Sequence, residues 1–352
     1  MATTTKPITL DDVVFVVATP EQREKAWRIN HASWAKGAPL DEHLRREATL
    51  AATTHGTSPT GGRTYFVVHR KNNPLDIVCA VSSLGKQALV KDADGVRAVR
   101  AYGVGDVHTA PEYRKQGMAG HMLRNLQEAI DTNGEFSVLY SGIGTEYYGK
   151  FGWAAYPSLQ VSIYLDGGKP EKPADIKFLS QAEMGPYCER DVAAQRQRME
   201  NMPANGRTHV AFLPTFEQLD WQFTRDALAA QLRGDPEPTY YGAATADDRC
   251  WVYWHHDSKS SMLVIHRVVA DSPDAVQDLL RAAMTEAGQY GLERVVSWNP
   301  EGEVEDGARS LGEVGVRIKF ENRENSRNPC LRWRDGAEKD VVWDENYHYA
   351  WC

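Results

Sequence analysis

No two of the five cysteines stand close enough in the chain to form a redox pair or a zinc knuckle. Cys79, Cys188, Cys250, Cys330 and Cys352 are widely separated, and their odd number suits a reducing compartment. Their spacing indicates no metal site, and no metal is expected. Long apolar runs are missing too: VVFVVA, residues 13–18, is too short for a signal core or a membrane span, and MATTTKPITLDD offers no basic lead-in to one. A cytoplasmic chain without a membrane partner is expected. Cations are outnumbered, with 40 Lys and Arg against 48 Asp and Glu, for a net charge of −8. That balance argues against a nucleic-acid partner and mildly favours cationic small molecules. There are no low-complexity tracts and no short-period repeats, and nothing in the chain speaks to oligomeric state.

What is present is a globular composition, 42% hydrophobic and 25% charged, on 352 residues. That length exceeds one ordinary domain. DVVFVVA reads as a strand ending at Thr19-Pro20, a helix cap with proline at the first position. One or two helices follow before Leu50, then a loop, TTHGTSPTGGR. YFVVHR and LDIVCAVSSL form a hairpin around KNNP, and RAYGVGDVHT is the next strand. Met118, Met122, Leu123, Leu126 and Ile130 recur at helical spacing. FSVLYSGI and LQVSIYL complete a mixed α/β layout over residues 1–168, and DGGKPEKPAD is the linker. Residues 169–352 repeat a strand, strand, helix, strand rhythm, behind two helices separated by Pro203 and Pro214. They read as a second α/β domain that contributes to the substrate site or an interface.

The most informative stretch is VHTAPEYRKQGMAGHM, Val107 to Met122. A strand that yields to Arg114, Lys115, Gln116, Gly117, Met118, Ala119 and Gly120 and then to a helix exposes backbone N–H groups at a helix start. Those donors and the helix dipole favour a phosphate there. Gly117, with Ala119 and Gly120 after it, gives a diphosphate close access to the backbone. Pro111 lacks an N–H and is expected to end sheet pairing, so that the strand splays from its neighbour. Asp106 and His108 alternate onto one face of that strand and are candidate proton acceptors. Each also has an ordinary structural reading, as a hydrogen-bonded acid and a core histidine.

Val107 to Ala119 resembles the acyl-CoA-binding motif of the GNAT acetyltransferase superfamily: an apolar strand, Pro, two residues, Arg, two residues, Gly, one residue, Gly or Ala. The resemblance implies the GNAT fold, with the second domain a candidate degenerate copy. It implies that Val107, His108 and Thr109 pair with the pantetheine arm of acetyl-CoA, while the backbone from Lys115 to Gly120 holds the pyrophosphate. FSVLYSGIGTEYYGKFGW, Phe136 to Trp153, and the ending NYHYAWC are similar to the fungal lysine N-acetyltransferases. An acidic residue usually follows Ser141 in that pattern, whereas this chain has Gly142, a departure that bears on the acceptor. Tyr148 falls at the position of the tyrosine that protonates the departing thiolate, with Tyr147 its rival in register and Glu146 a weaker proton acceptor. Trp27 and Trp34 lie on the helices that tend to cover the acceptor. The resemblance also makes Ser141 and the terminal carboxylate of Cys352 candidate substrate contacts. His255, His256, Trp251 and Trp254 read as strand core.

The function expected is therefore acetyl transfer from acetyl-CoA to a small primary amine, with the ε-amino group of lysine first. A polyamine, an aminoglycoside-like amine or a protein lysine remain as other acceptors. A silent acyl-CoA sensor remains as the reading from another class.

Overall fold

The computed structural model describes residues 7–35, 37–58, 61–168, 172–324, 326–334 and 340–351. The first half runs β1 (Val13–Val17), α1 (Pro20–Trp34), α2 (Leu40–Ala51), α3 (Thr54–Thr57), β2 (Gly62–Arg70), β3 (Asn73–Asp92), β4 (Gly95–Thr109), α4 (Met118–Asp131), β5 (Phe136–Ser141), α5 (Glu146–Gly149) and β6 (Ala154–Ala155). The second runs β7 (Leu159–Tyr164), β8 (Ile176–Leu179), α6 (Gly185–Asn201), β9 (Thr208–Phe212), α7 (Phe216–Arg233), β10 (Gly242–Thr245), β11 (Trp251–Asp257) and β12 (Met262–Val269). It ends with α8 (Pro273–Gln289), β13 (Arg294–Trp298), α9 (Glu303–Glu313), β14 (Ile318–Asn322), β15 (Asn328–Trp333) and β16 (Val341–Trp343).

Local chemistry sets the helix starts. The Thr19 hydroxyl accepts from the Gln22 N–H while the Gln22 side chain accepts from the Thr19 N–H, a reciprocal cap, with Pro20 at the first position of α1. In α4 the periodic residues Met118, Met122, Leu123, Leu126 and Ile130 are all buried on one stripe. They join Val78, Val104, Leu139, Tyr148 and Trp153 in the core beneath the first sheet.

Two sheets result. One has the order β1-β2-β3-β4-β5-β15-β6, with β9 alongside β3 and β16 alongside β9; the other has the order β14-β7-β13-β12-β11-β10-β8. The mixed α/β class agrees with the sequence reading, but the chain does not divide between the sheets as its linear order suggests. LQVSIYL, placed at the end of the first domain, forms β7 and pairs with β13 and β14 of the second sheet. Conversely β9, β15 and β16 return to complete the first sheet. One core, with Val90, Phe136, Phe212, Phe223, Tyr253 and Trp343 among its members, joins both halves.

The expected internal copy is visible as topology. In the first sheet the antiparallel pair β3-β4 leads through α4 to β5, parallel to β4. In the second, the antiparallel pair β11-β12 leads through α8 to β13, parallel to β12. The copy extends to a detail that the sequence hides. Each middle strand carries one extra residue: Asp106 and Val107 face Val81 alone, and His266 is skipped between the pairs Tyr253↔Arg267 and Trp254↔Ile265. In both sheets the parallel pairing stops just before that bulge, at Val104↔Leu139 and at Ile265↔Ser297.

Candidate active site

Past Val104 the two parallel strands of the first sheet part. The cause is the bulge, at which Asp106 holds a left-handed φ of 56° and turns the rest of β4 away from β5. The splay from β5 therefore precedes Pro111 and does not depend on it, which corrects that part of the expectation, while the pairing with β3 does stop at Pro111, after Thr109 and the Ala110 N–H bond to the Val78 carbonyl. Pro111 opens a short helical turn, Pro111–Tyr113, whose buried Tyr113 donates to the Asp76 carboxylate at 2.9 Å.

The split opens into a cavity of about 820 Å³. One wall is the freed end of β4, with Asp106, Val107, His108 and Thr109; the far end is the turn into α4, with Arg114, Lys115, Gly117, Met118, Ala119 and Gly120. Tyr147 and Tyr148 line the opposite side, and Trp34 stands at the rim, 44% exposed.

The turn is shaped to hold an anion. Lys115 has φ 61° and Gly117 φ 80°, so successive N–H groups curve inward as a nest. The first backbone bond of α4 runs from the His121 N–H to the Gly117 carbonyl. The amides of Met118, Ala119 and Gly120 therefore project from the helix end, and no side chain caps them. A Cβ on Gly117 would meet nothing within 4 Å, so its glycine answers to the positive φ and not to crowding. Gln116, expected among the cofactor residues, does not line the cavity; its side chain accepts from the Ile8 N–H at 3.1 Å. The equivalent start of α8 is closed by its own residue, because the Ser272 hydroxyl accepts from the Ala275 N–H at 3.3 Å. That difference explains why the second copy lacks a phosphate cradle.

The titratable groups separate by environment. Burial, reinforced by Tyr147, pushes the Tyr148 phenol up to about 12, so it keeps its proton at any working pH. His108 is buried, and desolvation and Arg114 hold its pKa below the usual histidine range. Its Nε2 has no partner among the described residues. Asp106 is committed: it accepts from Ser82 Oγ at 2.8 Å and from Arg63 Nη2 at 2.5 Å. Behind it Glu47 is buried and its pKa is raised, by desolvation first and by the Asp106 charge second.

Several sequence candidates lie elsewhere. Ser141 is buried and closes its own turn, donating to the Gly144 carbonyl and accepting from the Ile143 N–H at 3.2 Å; it does not line the cavity. Gly142 does line it, and a Cβ there would meet nothing within 4 Å. Glu146 is not on the cavity wall. Trp251 lies in the shared core and Trp254 donates to the Tyr240 carbonyl at 3.0 Å. His256 meets Glu286 at 3.1 Å. Cys352 lies outside the described residues.

A cation-aromatic ladder beside Asp106 is not legible in the sequence. Arg23 lies over Trp27 and Tyr65, at 5.1 and 5.5 Å, and Arg63 lies over Tyr65 and Trp221, at 5.1 and 5.9 Å. Arg23 Nε, Trp27 Nε1, the Tyr65 hydroxyl and Trp221 Nε1 are all buried without an acceptor among the described residues. Trp221 comes from α7, so the second half of the chain contributes to this ladder, which lies off the cavity lining. Only aromatic residues beside arginines at four remote positions could have hinted at it.

Comparison with known proteins fits this geometry. A family model described as the LYC1 GNAT-like C-terminal domain matches residues 162–352, and one described as an acetyltransferase (GNAT) domain matches residues 76–156. A lysine acetyltransferase of Yarrowia lipolytica is 22% identical, across 82% of this chain and 84% of its own. Two solved GCN5-related N-acetyltransferases share the fold. The one from Kribbella flavida has a TM-score of 0.55 at 16% identity, over 92% of this chain and 72% of that one. The one from Anabaena variabilis has 0.55 at 14%, over 92% and 73%.

Proposed function

The chain belongs to the LYC1 GNAT-like family and is an acetyltransferase; from that premise we propose that it moves the acetyl group of acetyl-CoA to the ε-amino group of free lysine. The observation that carries the reading is the cavity with an anion cradle at the α4 end and Asp106 beside unsatisfied donors at the other.

The backbone amides at Lys115 to Gly120 would take the pyrophosphate, with Lys115 and Arg114 adding charge. The freed edge of β4 would accept the pantetheine arm as an added strand, which lays the thioester near the bulge. The neutral amine attacks the thioester carbon, the C–S bond breaks, and the sulfur leaves as a thiolate. Tyr148 gives that thiolate its proton. The apolar surroundings that raise the phenol raise the thiolate as well, which keeps the transfer near balance. His108 Nε2, neutral and unpartnered, takes the amine proton. Asp106, held by Arg63 and Ser82, contributes a fixed negative charge that draws the cationic side chain in.

The unsatisfied donors favour an amino acid among amines. Behind the cavity wall at Asp106 and off its lining, Arg23, Trp27, Tyr65 and Trp221 hold buried N–H and O–H groups with no acceptor among the described residues, and we read them as favouring an acceptor that brings a carboxylate. A polyamine brings no such group. Thiol release measured with lysine, lysinamide and cadaverine tests the reading. Lysine should turn over best, and equal turnover with cadaverine would overturn it. The Gly142 position does not exclude lysine on this account, because the donors lie on the α1 side of the cavity.

A further inference from the structure

The second sheet has the same split as the first, but the chain itself fills it. Where β12 and β13 part after Ile265↔Ser297, residues 346–350 enter: Asn299 Nδ2 donates to the Asn346 carbonyl, and the His348 ring packs on Trp298 at 4.3 Å. At this point three imidazoles converge from three separate segments: His255 on β11, His266 at the bulge of β12, and His348 in the turn His348–Ala350. His255 Nδ1 lies 3.1 Å from His266 Nε2, and His266 Nδ1 lies 3.3 Å from His348 Nδ1. One ring nitrogen from each lies within 4.8 Å of the other two.

We infer that His255, His266 and His348 form a three-imidazole site for a d¹⁰ transition-metal ion, zinc(II) or copper(I), that clasps residues 348–351 into the split of the second sheet. Ligands ~2.0–2.1 Å from a tetrahedral ion stand about 3.3 Å apart; the His255 Nδ1–His266 Nε2 pair stands at 3.1 Å, and because the His348 contact uses the other nitrogen of His266, ring rotation must bring one nitrogen from each ring together from within 4.8 Å. The chemistry fits as well. A neutral imidazole has one lone pair to give, and Arg225, Arg323 and Arg327 lie around the cluster. Of those arginines, Arg225 pairs with Asp226 at 3.3 Å and Arg327 with Asp257 at 2.9 Å. Arg323, over the Trp298 ring at 3.8 Å, remains as local positive charge. That charge weighs against a divalent ion and toward copper(I), and imidazole accepts both metals. Nothing in the acyl-transfer chemistry uses these residues, so the site stands or falls independently of the acceptor reading.

The test uses the full chain, stripped with a chelator and titrated with zinc(II), or with copper(I) under reducing anaerobic conditions, against a chromophoric competitor. One ion per chain is expected, with affinity about 100-fold or more weaker in His266→Ala and in His348→Ala, and a higher melting midpoint for the loaded wild type. X-ray absorption at the metal edge of the wild type reads the ligands directly, so the question remains answerable if a variant does not fold. A nitrogen-only shell supports the site. A sulfur-containing shell, or wild-type uptake no greater than that of His266→Ala and of His348→Ala, overturns it and leaves the three rings as a hydrogen-bonded chain of neutral imidazoles.

Discussion

The Nζ of Lys86, buried in the middle of β3, donates to the main-chain oxygens of Ala350 and Trp351, the latter at 3.0 Å. The contact crosses from the first sheet to residues more than 260 positions further along the chain. It fixes Trp351, over which Arg225 lies at 5.0 Å, and Trp221 sits 6.2 Å beyond. Lys86 thus ties the last described residues to the wall that carries Arg63 and Asp106. Lys86→Met keeps the stem and removes the donor. We expect earlier thermal unfolding and a raised KM for lysine with little change in that for acetyl-CoA. An unchanged lysine KM would mean that the anchor serves stability alone.

Tyr148→Phe removes the phenol hydroxyl while keeping the ring that packs in the core. If the hydroxyl is the acid, kcat falls by roughly 10²–10⁴ while calorimetric CoA binding is retained. Tyr147→Phe, on the same short helix, serves as the comparison and should be much milder. Equal losses in the two variants would remove the assignment.

Gly117→Ala forces a side chain into a left-handed conformation that has ample space around it. The effect is therefore conformational, about 1–2 kcal/mol, and it acts on the cradle. CoA binding should weaken by roughly tenfold, and the KM for lysine should barely move. Calorimetry with CoA alone is sufficient to measure it.

Asp106→Asn leaves Arg63 without its carboxylate in a site where the two side chains are 9% and 19% exposed. The melt should lose about 2–3 kcal/mol, somewhat less than a fully enclosed pair would. Turnover at saturating lysine should be less affected than the lysine KM, because the charge attracts the substrate and does not move its proton. His108→Gln should do the reverse, lowering kcat and removing the acidic limb of its pH profile.

Stability should fall in mild acid. His55 and His266 are pushed down to about 3, and His43 to about 4, chiefly by burial. Their folded values lie below the unfolded value of about 6.5, so the unfolded state takes up protons first. The stability is fully present above pH 6.5 and drains away as pH falls toward 4 and below. Asp226, raised to about 6, works in the opposite sense below that pH and offsets part of the loss. Urea unfolding at pH 7.5, 6 and 5 should show the decline, and His55→Asn should flatten it.

How much of this the sequence shows depends on distance along the chain. The cap of α1 and the stripe of α4 depend on residues within a few positions of one another, so spacing alone reveals them; the turn from Lys115 to Gly120 is local too, but its reading as a diphosphate cradle needed the family resemblance beside the spacing. The bulge at Asp106 was missed because an extra residue in a strand is defined by its partner strand. Without β3 opposite, Asp106 and His108 look like simple alternation. The strand Thr208–Phe212 is five residues long and lies between Pro203 and Pro214, so in the sequence it looks like a break between helices. LQVSIYL has equally good β character for either sheet, and only pairing with β13 and β14 assigns it.

The sequence by itself therefore carried the class of chemistry, through a motif and a tyrosine that resemble those of the acetyltransferase family and a chain repeating one rhythm. Tertiary structure decided the rest. It brought Arg63 to Asp106, Trp221 to Tyr65, Lys86 to Trp351 and three distant histidines to one point, because packing two twisted sheets against a common core sets side chains from remote segments side by side. Burial then fixed their charge states, which depend on desolvation and neighbouring charge and not on residue type.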